Sequence, residues 1–234
     1  MYGNLYNSAS RYSRVMGEAL TGQTTSEPRR GLTEKRRAIL TGALRVFGRV
    51  GYLGASIDMI AAEAEVSTRT IYNHFENKEQ LFATVLMESS TQVAGAREAV
   101  IQRHLGDVED LESSLVALAK DWVRPTPEFE DHFRIVRRLR AESERFPREI
   151  VRAWQEAGPL RARRALAIRM ADLADRGLLA VADSEVAAQH FMALITDPTV
   201  SRAEFSATAL EFEIDRIARA GVHAFLYGYL PRTN

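Results

Sequence analysis

Apolar residues recur along this chain at three- and four-residue spacings with no sustained period-two run, which predicts an all-α protein. Ile39, Leu40, Ala43, Leu44 and Phe47 form one buried stripe of a helix that Thr33 caps and that runs to Val50, where Gly51 ends it. Ser56 caps a second helix, 57–64, with Ile57, Ile60, Ala61 and Ala64 at i, i+3, i+4 and i+7. After Glu65-Val66-Ser67 the third segment, 68–75, departs from this pattern: Ile71 is its one large aliphatic residue. Asn77 caps the next helix, where Leu81, Phe82, Val85 and Leu86 resume the stripe. Helices follow at about 78–103, 108–123, 127–145, 147–175, 184–196 and 203–228. Gly106-Asp107, Pro125-Thr126-Pro127, Pro147, Gly177 and Asp197-Pro198 separate them, and Gly158-Pro159 kinks or splits the fourth.

Two short helices across a three-residue turn are the pattern of a helix-turn-helix. On a helical wheel Ile71 and Phe75 share one side of 68–75, with Val66 entering from the turn, and these face the core. Arg69, Tyr72 and Asn73 gather opposite, flanked by Thr68 and Thr70. Such residues suit a DNA groove: Arg pairs with guanine, Asn with adenine, Thr touches a thymine methyl, and Tyr reaches phosphate. Ser56, at a helix start where backbone N–H groups favour an anion, His74 and Lys78 add donors of the kind that meet phosphate.

Charge sharpens this reading. The 234 residues carry 31 basic and 31 acidic side chains, yet residues 1–37 hold seven basic against three acidic. A basic end on a slightly acidic body suits a nucleic-acid contact, whereas zero net charge argues against a nonspecific DNA-packaging protein. The absence of cysteine excludes disulfides and thiolate sites and fits a cytoplasmic location. No run approaches the roughly 20 apolar residues of a membrane span. Residues 1–27 lack the apolar core of a secretory signal and read as a flexible extension.

The run from Arg36 to Phe82 resembles the DNA-binding region of the TetR family of bacterial transcriptional regulators. The matching residues are Ile39-Leu40-x-x-Ala43-Leu44-x-x-Phe47, Gly51-Tyr52-x-Gly54-Ala55-Ser56-Ile57, Ile60-Ala61-x-x-Ala64-x-Val66-Ser67 and Thr70-Ile71-Tyr72-x-His74-Phe75-x-x-Lys78-x-x-Leu81-Phe82. The resemblance implies base- or phosphate-reading roles for Thr68, Arg69, Thr70, Tyr72 and Asn73, and phosphate contacts for Ser56, His74 and Lys78. It implies a homodimer on operator DNA, most often a repressor, released by a small apolar or amphipathic effector, with no cofactor and no metal. Residues 28–78 would form the DNA-binding domain and 79–234 a larger helical domain for ligand binding and dimerisation. Arg145-Phe146-Pro147 with Gly158-Pro159 partly resembles the AefR-like subgroup. Residues 1–27 exceed the usual family N-terminus, and their basic residues suit a minor-groove arm.

The body offers candidates with less pattern behind them. Trp122, Phe129, Phe133, Trp154, Met170 and Phe191 are candidate pocket residues, because pockets are mostly apolar, and His132 and His190 could orient a polar ligand group. Residues 184–196 and 203–228 carry more apolar surface than one stripe needs, and Ala187, Ala188, Ala207 and Ala209 permit close helix contact, which suits a dimer face. Arg134, Arg137, Arg138 and Arg140 sit among Glu128, Glu130, Asp131, Glu142 and Glu144, which favours i, i+4 surface pairing over a second nucleic-acid patch. An enzyme is not expected. Glu128, Glu130, Asp131 and His132 lie at a helix start, where acids suit the dipole, and there is no glycine phosphate loop, HExxH or GxSxG.

Overall fold

The computed structural model describes residues 30–141, 146, 148–196 and 207–231. The extension 1–27, Arg145, Pro147, Asp197-Pro198 and residues 203–206 lie outside the described residues. In chain order the helices are α1 (Arg30–Gly54), α2 (Ile57–Glu63), α3 (Thr68–Tyr72), α4 (Lys78–Leu105), α5 (Leu111–Val123), α6 (Glu130–Ala141), α7 (Arg148–Ala157), α8 (Pro159–Asp175), α9 (Ser184–Ile195) and α10 (Ala207–Tyr229). A single 3-10 turn, Pro127–Phe129, precedes α6, and no strand occurs among the described residues.

Several boundaries follow the local chemistry of the sequence. The Ser56 hydroxyl accepts from the Met59 N–H at 3.1 Å, and the Asn77 carboxamide from the Gln80 N–H at 2.8 Å. Asp110 and Asp183, capping residues that the pattern of apolar positions did not single out, start α5 and α9. Gly158-Pro159 splits the long helix in two, and Gly177, at φ 71, closes α8.

Thr33 does not cap α1, which begins at Arg30. Gly51 breaks the helical path as the sequence predicts, at φ 76 and ψ 174, a conformation essentially reserved for glycine, and helical turns resume briefly to Gly54. Arg138 explains why the chain can stop and restart there. Its guanidinium donates to the carbonyl oxygens of Gly48 and Arg49 at 3.2 and 2.7 Å, satisfying acceptors that the interrupted helix leaves open.

The chain forms two compact units as far as its residues are described: Met1–Glu88 with Asp131–Trp154, and Ser89–Glu130 with Gln155–Asn234. The division departs from a boundary at residue 78, because Asp131–Trp154 packs with the first helices. The first core joins Ile39, Val46, Phe47, Ile60, Ile71, Leu81, Phe82 and Leu86 to Ile135, Leu139, Ile150 and Trp154. At its centre Phe82 meets Phe47 edge-on at 5.0 Å, Tyr52 at 5.0 Å and Phe146 in a stack at 5.4 Å. The second core gathers Leu105, Leu115, Trp122, Leu166, Met170, Phe191, Val222 and Phe225. Ala187 and Ala188 are fully buried in it and do not lie on an outer face.

Helices α1 and α2 cross so closely that a Cβ added at Gly42 would lie 2.9 Å from the Ala64 Cβ and 3.0 Å from its backbone nitrogen. Backbone cannot swing aside as a side-chain tip can. Gly42→Ala should therefore destabilise the first unit by about 1–3 kcal/mol, read as a lower urea midpoint. An unchanged midpoint would mean that the crossing opens freely.

Candidate nucleic-acid interface

Helix α2 ends in a paired backbone closure: the Val66 N–H reaches the Ala61 carbonyl at 3.0 Å and the Glu65 N–H reaches that of Ala62 at 3.3 Å. This closure needs a left-handed residue, usually glycine, and here Glu65 takes it at φ 53. Ser67 then caps α3, its hydroxyl accepting from the Thr70 N–H at 3.1 Å. Neither role shows in the spacing of apolar residues. The Ser67 cap could have been found, since serine before a short polar run is a helix-start signal.

Five residues cannot hold a helix by themselves. Ile71 is fully buried and Phe75 nearly so, and both belong to the first core. The Phe75 N–H continues the helical bonding to the Ile71 carbonyl at 2.9 Å although α3 itself stops at Tyr72, not at Phe75. With the apolar side fixed inward, Arg69, Tyr72 and Asn73 are exposed, and their side chains have no hydrogen-bond or ion-pair partner among the described residues. Thr68 lies beside them, half-buried. Ser56 is exposed at the start of α2, and His74 is half-buried against Phe75.

Two of the expected contacts are placed differently. The Thr70 hydroxyl lies 2.8 Å from that of Ser67, so it takes part in the cap. The Lys78 ammonium donates to the carbonyl oxygens of Tyr52 and Ala55 at 3.0 and 2.9 Å and sits 4.6 Å from the centre of the Tyr52 ring. Partial burial draws its pKa below the usual lysine range, with Glu79 acting the other way. Two of its three protons thus fasten the loop between α1 and α2, and at most one remains for a phosphate.

The six candidate pocket residues divide between the two units. Trp122, Met170 and Phe191 belong to the second core and Trp154 to the first, while Phe129 and Phe133 are half-buried and join neither core. The buried Trp154 indole nitrogen has no hydrogen-bond partner among the described residues. His190 is exposed and pairs with the Tyr229 hydroxyl at 2.7 Å, and His132 is buried in the first unit.

Comparison with known proteins addresses both parts of the chain. Residues 39–85 match the family described as bacterial regulatory proteins, tetR family, and residues 126–231 match the AefR-like transcriptional repressor, C-terminal domain. The HTH-type transcriptional repressor NicS of Pseudomonas putida is 36% identical over 94 residues, 40% of this chain and 44% of NicS. The match therefore spans less than half of that curated relative. A solved TetR-family transcriptional regulator from Mesorhizobium loti MAFF303099 is 30% identical, covers 88% of this chain and 100% of its own, and superposes with a TM-score of 0.75. The flavonoid-responsive regulator FrrA is 26% identical over 85% of this chain and 98% of its own, with a TM-score of 0.59.

Proposed function

Because this chain belongs to the TetR family of bacterial transcriptional regulators, we propose that it is a sequence-specific DNA-binding repressor, acting as a homodimer that a small apolar or amphipathic molecule releases from its operator. The observation that carries the reading is the outer face of α3, where Arg69, Tyr72 and Asn73 stand exposed beside Thr68 while Ile71 locks the helix from behind. Arg69 and Asn73 read base edges in the major groove. Ser56, Tyr72 and His74 meet phosphates on either side.

Exposed apolar residues on the last two helices support the homodimer. Val186 and Leu194 on α9, and Phe212 and Tyr227 on α10, remain exposed; Tyr227 is 87% accessible. Ala220, Ala224 and Gly228 follow one another at four-residue steps on α10 and are exposed as well, so a partner helix could approach closely. Two copies joined there would present their α3 helices to successive major grooves, roughly 34–36 Å apart. The AefR-like match over residues 126–231 and the flavonoid response named for FrrA support control by a small molecule. Release is a population shift: the ligand binds more tightly to the conformation whose reading helices are wrongly spaced for DNA.

Selecting duplexes from random DNA should recover a palindrome, and screening small molecules against that complex should find a releasing ligand. Arg69→Ala should then relax the preference at one base pair of each half-site, by about 1–3 kcal/mol of discrimination. An unaltered preference in the variant would remove Arg69 from the bases, and recovery of no preferred sequence would sink the repressor reading.

A further inference from the structure

Segment 131–154 holds seven basic residues against four acidic ones. Arg134, Arg137 and Arg138 of α6 join Gly48 and Arg49 of α1 around an open depression of about 370 Å³. All five residues belong to the unit that contains α2 and α3. Four guanidinium groups so placed repel one another, and the compensation they receive is uneven. Both terminal nitrogens of Arg49 lie 3.2 Å from one Glu63 oxygen, and Arg134 pairs with Asp131 at 3.2 Å. The Arg138 guanidinium donates to the carbonyl oxygens of Gly48 and Arg49, which offer dipoles and no full negative charge. Arg137 is exposed, and its side chain has no hydrogen bond or ion pair among the described residues. Its neighbours at three and four positions along α6 are Phe133, Arg134, Arg140 and Ala141, so its own helix offers it no carboxylate. The balanced surface pairing expected from the sequence is therefore met at Arg134 and fails at Arg137.

We infer that this depression binds a phosphate group, supplied by the DNA backbone beyond the base pairs that α3 reads; the inference rests on the DNA-binding reading above. Guanidinium forks match phosphate oxygens in geometry and charge. The lining has arginine and glycine but no aromatic or aliphatic wall, so it can hold an anion and cannot select an apolar body. An open depression suits a phosphate on a long polymer, which needs no enclosure. Arg49 also ties the depression, through Glu63, to the end of α2 beside the turn.

The test compares the wild-type chain with Arg137→Gln on long random-sequence duplex DNA and on a selected site, with and without flanking DNA, across a salt series. The variant should lower the slope of log affinity on log salt by about one per subunit. It should weaken binding to flanked duplexes of every sequence, leave the base preference intact, and match wild type on duplexes trimmed to the site. Arg137→Lys should restore the slope, which separates charge from any loss of folding. Equal slopes on long DNA overturn the inference. If the slopes are equal and calorimetry shows inorganic pyrophosphate binding to wild type but not to Arg137→Gln, the phosphate is a free one and the DNA assignment falls. A selection that finds no preferred site would sink the repressor reading, yet the slope on random DNA would still judge the depression.

Discussion

Ile71→Ala should lower the stability of the first unit by about 2–5 kcal/mol and abolish sequence-specific DNA binding together with it. Ile71 is fully buried, and α3 around it is only five residues long, too short to persist by backbone hydrogen bonding alone. Phe75 is the other large apolar side chain that holds this segment, and it lies past the end of the helix. Truncating Ile71 therefore leaves a cavity and also releases the surface that carries Arg69 and Asn73. Ile71→Val removes one methylene and should cost about 0.5–1.5 kcal/mol while binding persists. Urea denaturation and duplex binding on the same samples decide the matter. An alanine variant within about 0.5 kcal/mol of wild type would mean that α3 is held by something other than this side chain.

Acid should unfold the same unit well above the range in which carboxylates titrate. His132 is buried in α6, and loss of hydration pushes its pKa from 6.5 down to about 4. The unfolded chain binds that proton at a pH where the folded chain does not, so falling pH favours unfolding. Its contribution is fully present above about pH 6.5 and is lost progressively down to about pH 4, and between pH 7 and 5 the loss amounts to about 2 kcal/mol. Urea midpoints at the two pH values measure it, with His132→Gln as the reference. The variant should show a shallower fall, because the other four histidines are common to both chains. Parallel falls in both chains would show that His132 is already accessible to protons in the folded state.

The parts of this molecule that could be read in its sequence are those decided within one turn of the chain. Ser56 and Asn77 cap because each hydroxyl or carboxamide finds an N–H three residues on, and Ile71 with Phe75 marks an inward face by spacing alone. Errors arose where the deciding partner is distant. Thr33 has the chemistry of a cap, but the three residues before it are already helical, and α1 begins at Arg30. Gly51 stops the first helical run as its type suggests, but the restart to Gly54 could not be read locally, because Arg138 arrives from about 90 residues away to hold the preceding carbonyls. Lys78 looks like a lysine devoted to phosphate, yet Tyr52 and Ala55, 26 and 23 residues earlier, take two of its three protons. The candidate pocket residues show a similar limit: aromatic spacing signals burial without saying in which core.

Gly51 and Glu65, the two left-handed residues that bracket α2, also constrain how the unit can form. A right-handed helix cannot propagate through a residue at positive φ. Helical growth that starts in the long first segment therefore halts at Gly51, and the seven residues of α2 and five of α3 must each nucleate separately. Nuclei that short decay faster than they grow unless the core has already closed around Ile60 and Ile71. The reading surface is consequently assembled late and as one event, and partial folding yields no half-built version of it that could sit on DNA.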